Sequence, residues 1–536
     1  MRRLLNFFHN GLLADRKLLV VLLVWALCWL GNTVLLKTFS TPLPWCDEWD
    51  LTPVACGAYP VTWEWIFEAA NEHRAPLTRL EVLLLGRLFS WDLRLVHHIN
   101  LALLAAGSLV LIFSVRAIRG QSALNDVFVC LLVLTPWQYQ TVLIYCYGYA
   151  MALSILCVAV AATLTGWPLR SLRHLGAYFG LLLGIVLSAG PAGAVWAVGL
   201  CGIVVRGWLQ RKPPSWKISG LAGTALITAI SGCLLVSIPA VAQHDHFRSD
   251  TVRTFLEATA QLTVSWIGHP VALLWPWVFI VFLLPFLVLL AQMARLVRKK
   301  HTADDAADSH WKTWIDLTIP FAATLAVAAM IGYGRGHYPN LWESRYCTLL
   351  LPIALMCYLL LVRLRAPVVM ANILVSVMVF SFGWNWPVTI GSGRVWHDPI
   401  AAAQGALKEG SFPLTIWATC HGDAVGCFQN KNRLVNYLVQ LRTARLSIFK
   451  KGVHEPFPGI GLPITLEAEA GRITGNIRNC WDPKAAGDHA LQAISLQDGP
   501  GTACYDVEVP ATGTYELCCR IHAHLQNHVL IFQIDD

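Results

Sequence analysis

Charge is what this chain lacks. Lys, Arg, Asp and Glu make up 13% of its 536 residues, about half the roughly 25% typical of soluble domains. With 56% hydrophobic residues and a mean hydropathy of +0.54, an ordinary soluble globule is excluded. Repeated apolar runs of about 20 residues, the length a helix needs to cross a bilayer, make it a polytopic membrane protein. Other absences narrow the function. None of the 16 cysteines forms a Cys-x-x-Cys pair, which argues against a zinc ribbon. The Gly332-Tyr-Gly-Arg335-Gly stretch lacks the Gly-Lys-Ser/Thr of a phosphate-binding loop and follows no strand. No internal repeat is evident. No small-residue cleavage site follows the first apolar run, Leu18 to Leu36, so it reads as a span and not a removable signal. The net charge of +8 is accounted for by basic cytoplasmic loops, not by nucleic-acid binding.

Eleven spans are expected, at 18–36, 96–115, 124–142, 147–165, 175–189, 192–207, 218–238, 270–294, 314–332, 346–362 and 368–388. Arg2, Arg3, Arg16 and Lys17 put the N-terminus in the cytoplasm. Each loop that alternation then places inside is basic, from Arg116 and Arg119 to Arg363 and Arg365. The outside segments are the loop 37–95, a bend near Pro136, Gly190 to Ala192, the loops 239–269 and 333–345, and everything after 389. The acidic stretch 300–313, with His301 and His310, reads as a solvated cytoplasmic linker and not a metal site.

Residues 1–390 thus form an all-α membrane domain, 391–463 a mixed outside linker region with helices over 399–409 and 430–449, and 464–536 a small β domain. Runs at 464–470, 490–496, 503–509, 514–521 and 529–534 alternate or stay apolar between Gly, Pro and Asp. Eight cysteines lie in outside segments, where disulfides are allowed. Cys46–Cys56 and Cys420–Cys427 are the natural pairs, with free thiols as the alternative.

Chemistry concentrates on the outside face. Asp47, Glu48 and Asp50 follow the first span, and a carboxylate there can take the proton of an attacking hydroxyl, hold a divalent cation, or simply solvate the loop. Trp45, Trp49, Trp63 and Trp65 form a sugar-stacking wall or an interfacial belt. Glu72, His73, Arg74 and Arg79 sit where the loop returns to the membrane. An arginine fork suits a phosphate, but it also suits lipid headgroups. Arg335 and Arg345 bracket a second polar cluster, with His337 and Glu343, on the same face. Gln138, Tyr139 and Gln140 add polar groups at the Pro136 bend. His97 and His98 read as packing residues.

Asp47-Glu48-Trp49-Asp50, Asn71-Glu72-His73-Arg74, Pro136-Trp137-Gln138 and Ser344-Arg345-Tyr346, in this order and on one side, resemble the polytopic glycosyltransferases of the C-type (GT-C) fold. The resemblance is to bacterial members and covers roughly residues 1–390. It implies an inner-membrane enzyme that uses a polyprenyl-phosphate sugar donor and a glycan, lipid or protein acceptor. By the same resemblance Asp47, with Asp50 its competitor, activates the acceptor. Arg74, Arg79, Arg335 and Arg345 become donor-phosphate ligands. Some relatives need a divalent metal and others do not. Leu466-Glu-Ala-Glu-Ala470, Tyr505-Asp-Val-Glu-Val-Pro510 and Gly513-Thr-Tyr-Glu-Leu-Cys-Cys-Arg520 are similar to the first half of a family 6/35-type carbohydrate-binding β-sandwich. Two other classes compete. A transporter or flippase of lipid-linked sugars places charges at span centres and uses repeats and broken helices. A non-catalytic anchor displaying a sugar-binding module has no need of eleven spans.

Overall fold

The computed structural model describes residues 15–44, 46–69, 74–143, 148–208, 212–237, 246–280, 291, 305–338, 343–363 and 367–408, parts of 437–447, and four short segments between 472 and 504. Within these, the side chains of Cys46, Asp47, 305–317, Trp396, 406–408 and the four short segments are not described. The principal helices are α1 (Arg16–Phe39), α2 (Pro76–Leu88), α3 (Leu93–Arg119), α4 (Val127–Val133), α5 (Tyr149–Leu164), α6 (Leu172–Trp208), α7 (Pro214–Val236), α8 (Val252–Thr263), α9 (Asp305–Arg335), α10 (Ser344–Arg363) and α11 (Val368–Lys408).

Seven helical stretches among the described residues are long and apolar enough to cross a membrane. This is the architecture of an integral membrane protein. Burial separates centre from periphery. In α10, 89% of the apolar window is buried, against 22% in α1 and 17% in α7. On α1 the exposed residues Leu23, Leu27, Leu30 and Val34 recur at helical spacing. A leucine stripe of that kind is stable facing lipid and unstable facing water. At one end of the bundle Asp126 accepts both Arg119 Nη1 contacts at 2.8 Å and the Tyr358 hydroxyl at 2.7 Å. Nearby, Asp15 accepts from Ser122 and Arg116. These pairs tie α1, α3 and α10 at the end opposite the candidate site.

Two expected spans meet in α6. Gly190 is non-helical (φ 54, ψ −128) and Pro191 follows it, so the chain reverses there. A Cβ on Gly193 would lie 2.2 Å from the Ile185 carbonyl oxygen, whereas eight residues along a straight helix are ~12 Å apart. The expected boundary at Gly190 to Ala192 is where the turn occurs.

Three expectations need correction, and a fourth needs qualification. The third expected span holds as a stretch long and apolar enough to cross, Leu124–Leu143, but it is broken within: α4 ends at Val133, and a 3-10 turn over Pro136–Gln138 and a short helix over Tyr139–Leu143 follow. Pro136 supplies no N–H to continue α4, and it disfavours a helical Thr135. The last span and the helix expected at 399–409 are one continuous helix, α11, which runs through Pro387 and Pro399. The stretch 300–313 is not all linker, since α9 begins at Asp305. Cys56 is a free thiol, so it makes no staple with Cys46, and burial pushes its pKa up to about 12.

The chain divides into two compact units, the second comprising Gly410–Phe412 and Gly452–Asp536. In it, β1 (Arg472–Gly475) pairs antiparallel with β4 (Gly501–Cys504), and β2 (Ile477–Trp481) with β3 (His489–Ala493). The expected strands at 464–470, 514–521 and 529–534, most of 503–509, and Cys420 and Cys427 lie outside the described residues.

Candidate functional site

The first loop leaves α1 through Pro42 and Pro44 and folds into a 3-10 turn over Cys46–Leu51, then short helices over Thr52–Ala55 and Trp63–Phe67. The Asp47 side chain lies outside the described residues, as do Glu72 and His73. Its neighbours divide. Glu48 is fully buried and engaged within the protein, whereas Asp50 faces outward and accepts the Tyr437 hydroxyl at 3.4 Å. Trp49 is buried, so it cannot belong to a sugar-stacking wall. Trp63 is exposed, and Trp65 carries the Arg79 guanidinium 5.0 Å from its ring centre.

Arg79 is the hub of this loop. Its Nη1 donates to the Trp65 carbonyl and to Glu68 at 3.2 Å. Burial pulls its pKa below the ordinary arginine value; Glu68 and Asp50 oppose that pull and Arg74 adds to it. One electrostatic neighbourhood therefore holds Arg79, Glu68, Asp50 and Arg74. Arg74 is already committed, because its fork donates to the Ser237 carbonyl at 3.0 and 3.3 Å and to the Phe67 carbonyl.

Arg335 and Arg345 belong to a second cluster. Glu343 bridges it, ion-paired with Arg345 Nε at 2.8 Å and accepting the Tyr338 hydroxyl at 2.9 Å. Arg345 also stacks on Tyr346, 5.2 Å from the ring centre, and Arg335 lies 5.9 Å from that of Phe247. Phe247 in turn meets Tyr338 edge-on at 5.0 Å. Burial first, and Glu343 second, raise the Tyr338 pKa, so the phenol stays protonated as a donor. The Gly-rich stretch has a packing role here. Ser249 Oγ donates to the Gly332 carbonyl at 2.8 Å, and a Cβ on Gly336 would strike Ser249. His337 pairs with Asp250 at 2.8 Å.

The Pro136 bend touches both regions. Gln140 donates its N–H to Ser344 Oγ at 2.9 Å, and its side-chain oxygen accepts the Arg345 N–H at 3.2 Å. Thr141 and Thr348 hydroxyls meet at 2.6 Å, and Thr389 donates to the Pro136 carbonyl at 3.2 Å. On its other side, Tyr139 joins Asn32, Leu36 and Phe39 of α1 and Thr389 of α11 around a narrow apolar cleft. The end of α1 that opens into the first loop and the N-terminus of α10 are thus bridged by one broken segment.

Sequence reasoning missed Glu68, Glu81, Phe247 and Tyr437. Glu68 and Tyr437 sit in stretches with no motif of their own, and only the folded chain brings them to Arg79 and Asp50. Burial pushes Glu81, on α2, up to about 7. A lone Glu in a leucine-rich helix gives no signal of that. His97 is buried on α3, in keeping with a packing role. Among the described residues no three His, Cys, Asp or Glu side chains converge as a metal site. No protein-family model, curated protein or solved structure matches this chain.

Proposed function

We propose that this integral membrane protein is a glycosyltransferase that moves a sugar from a polyprenyl-phosphate donor to an acceptor on the outer face. The observation that carries the reading is the bridge at Pro136. It joins the end of α1, from which the acidic loop leaves, to a half-buried arginine–tyrosine–glutamate cluster at the N-terminus of α10. A transferase of this kind needs a base beside the acceptor and fixed cationic donors where the leaving phosphate gains charge. Asp47 takes the proton of the acceptor hydroxyl, with Asp50 as its competitor. The acceptor oxygen bonds to the anomeric carbon as the carbon–oxygen bond to phosphate breaks, inverting the centre. Polyprenyl phosphate leaves, with Arg345 and Arg335 against its charge. A divalent cation, where one takes part, binds at the Asp47 turn.

The reading includes eleven spans with the N-terminus inside, a bacterial inner-membrane location, and a tail built as a partial carbohydrate-binding β-sandwich. Sugar transfer in membranes supplied with defined polyprenyl-phosphate sugars tests it. One observation favours a second reading, a flippase of lipid-linked sugars: the break at Thr135–Pro136 resembles the discontinuous helices of transporters. Proteoliposomes that translocate a lipid-linked sugar without transferring it would support that reading instead.

A further inference from the structure

We infer that the chain beyond α11 completes the candidate site, with Ser447 and Tyr437 as positioning residues for the acidic turn. Ser447 ties the two ends of the first loop together, and Tyr437 holds the Asp50 carboxylate. The inference rests on the transferase reading for its consequence, and on hydrogen bonds and backbone geometry for its parts.

One residue reaches both ends of the loop. Ser447 is buried, and its Oγ donates to the Pro42 carbonyl at 2.6 Å, where the chain has just left α1. Its backbone N–H donates to the Ser90 carbonyl at 2.8 Å, three residues before α3 begins at Leu93. Fixing the two ends removes conformational freedom from what lies between them. Within the loop, the Tyr437 hydroxyl donates to Asp50 at 3.4 Å, and the charge of Asp50 acts on Arg79. Asp50 is therefore held from two sides although it faces outward. Asp47 stands three residues before it in the same 3-10 helix, one full turn away. Whatever fixes Asp50 thus fixes the backbone that carries Asp47.

The backbone at this junction is strained. Among the described residues four non-glycine residues have left-handed φ, and all four are here: Ser90 at 53°, Trp91 at 60°, Arg445 at 53° and Ser447 at 56°. Each is unfavourable for an L-residue and persists only where its surroundings over-determine it. Those surroundings are present. Tyr437, Leu438 and Leu441, on one helical face, are buried, as are Trp49 and Trp91 in the loop. The Ala444 and Leu446 N–H groups return to the Gln440 and Leu441 carbonyls, each at 2.9 Å, and this turn brings Ser447 to the neck of the loop. Strained backbone of this kind gathers where exact placement serves function. A plain linker has no need of it.

The test is a disulfide across the neck, Ser90→Cys with Ser447→Cys, in the full-length protein in phosphatidylethanolamine–phosphatidylglycerol nanodiscs. A backbone hydrogen bond keeps the two Cα atoms within roughly 5–6 Å, a span that a disulfide bridges. Mass spectrometry of the joined peptides identifies the bridge among the native cysteines. The bridge should form under mild oxidation, and the bridged form should transfer sugar from polyprenyl phosphate at least as fast as the same variant reduced. Tyr437→Phe should lower kcat about fivefold, the worth of one hydrogen bond, with donor KM and thermal midpoint unchanged. In an Asp50→Asn background it should change nothing further, because it acts through that carboxylate. Failure to bridge overturns the inference. So does transfer that stops on bridging and returns on reduction, which would mean that the segment must lift. A Tyr437→Phe variant with intact kcat, or with a loss that persists in Asp50→Asn, overturns it as well. Absence of transfer by the wild type is a separate failure: it removes the transferase reading, and this role with it.

Discussion

The side-chain oxygen of Gln140 accepts the backbone N–H of Arg345 at 3.2 Å while the Gln140 N–H donates to Ser344 Oγ at 2.9 Å. The two bonds cap the first turn of α10 from a different segment, and so set where the Arg345 guanidinium begins. Each such bond is worth about 1 kcal/mol. Gln140→Ala should therefore raise KM for the lipid-phosphate donor by roughly fivefold to tenfold, with little change for the acceptor. Steady-state kinetics with both substrates varied will check this. An equal effect on both would place Gln140 in general folding.

Arg345 and Arg74 should behave differently. Arg345 is shared between Glu343 and Tyr346, whereas Arg74 spends its fork on the Ser237 and Phe67 carbonyls. Arg345→Gln should cut transfer by about a hundredfold or more, as loss of a phosphate-stabilising donor does. Arg74→Gln should lower thermal stability while leaving the transfer rate of the folded fraction within a few-fold. Comparing rates per folded molecule for the two variants settles the assignment.

The membrane class and the span positions around Gly190 were legible in the sequence, because apolar run length and turn residues are local signals; the contact of Ser344-Arg345 with Gln140, 204 and 205 residues away, was not. The break at Pro136 was half legible: proline marks a bend, but not whether the helix resumes. At Pro387 and Pro399 the same residue type leaves α11 unbroken, since packing can override a single lost hydrogen bond. The burial of Glu48 and Trp49, the engagement of Arg74 and the exposed face of α2 were not legible. They depend on which long-range partner a loop finds, and Ser237 lies 163 residues from Arg74.

Gly86 tests how tightly the first loop is seated. The Trp91 ring occupies the space a methyl group would need, and Ser90 and Trp91 both hold left-handed backbone, with φ 53° and 60°. Gly86→Ala should destabilise the protein by about 1–3 kcal/mol through overpacking. Ser90→Gly should stabilise it by roughly 1 kcal/mol by relieving the strain. Thermal unfolding in detergent will show opposite shifts.

Glu81 carries the pH dependence. Burial raises its carboxyl from 4.5 to about 7, so between those values the folded state keeps a proton that the unfolded chain has released. Its contribution to stability is intact below about pH 4.5 and is lost as pH rises to about 7. Glu81→Gln should match wild type at pH 4.5 and exceed it above pH 7, by roughly 1–3 kcal/mol. Parallel melting curves across that range would contradict the assignment.

The most direct test of the central claim is transfer of radiolabelled sugar in membranes supplied with polyprenyl-phosphate sugars, wild type against Asp47→Asn. The account predicts transfer from one donor by the wild type, and its loss in a variant that inserts normally. Full transfer by both Asp47→Asn and Asp50→Asn, or translocation without transfer by the wild type, would contradict it.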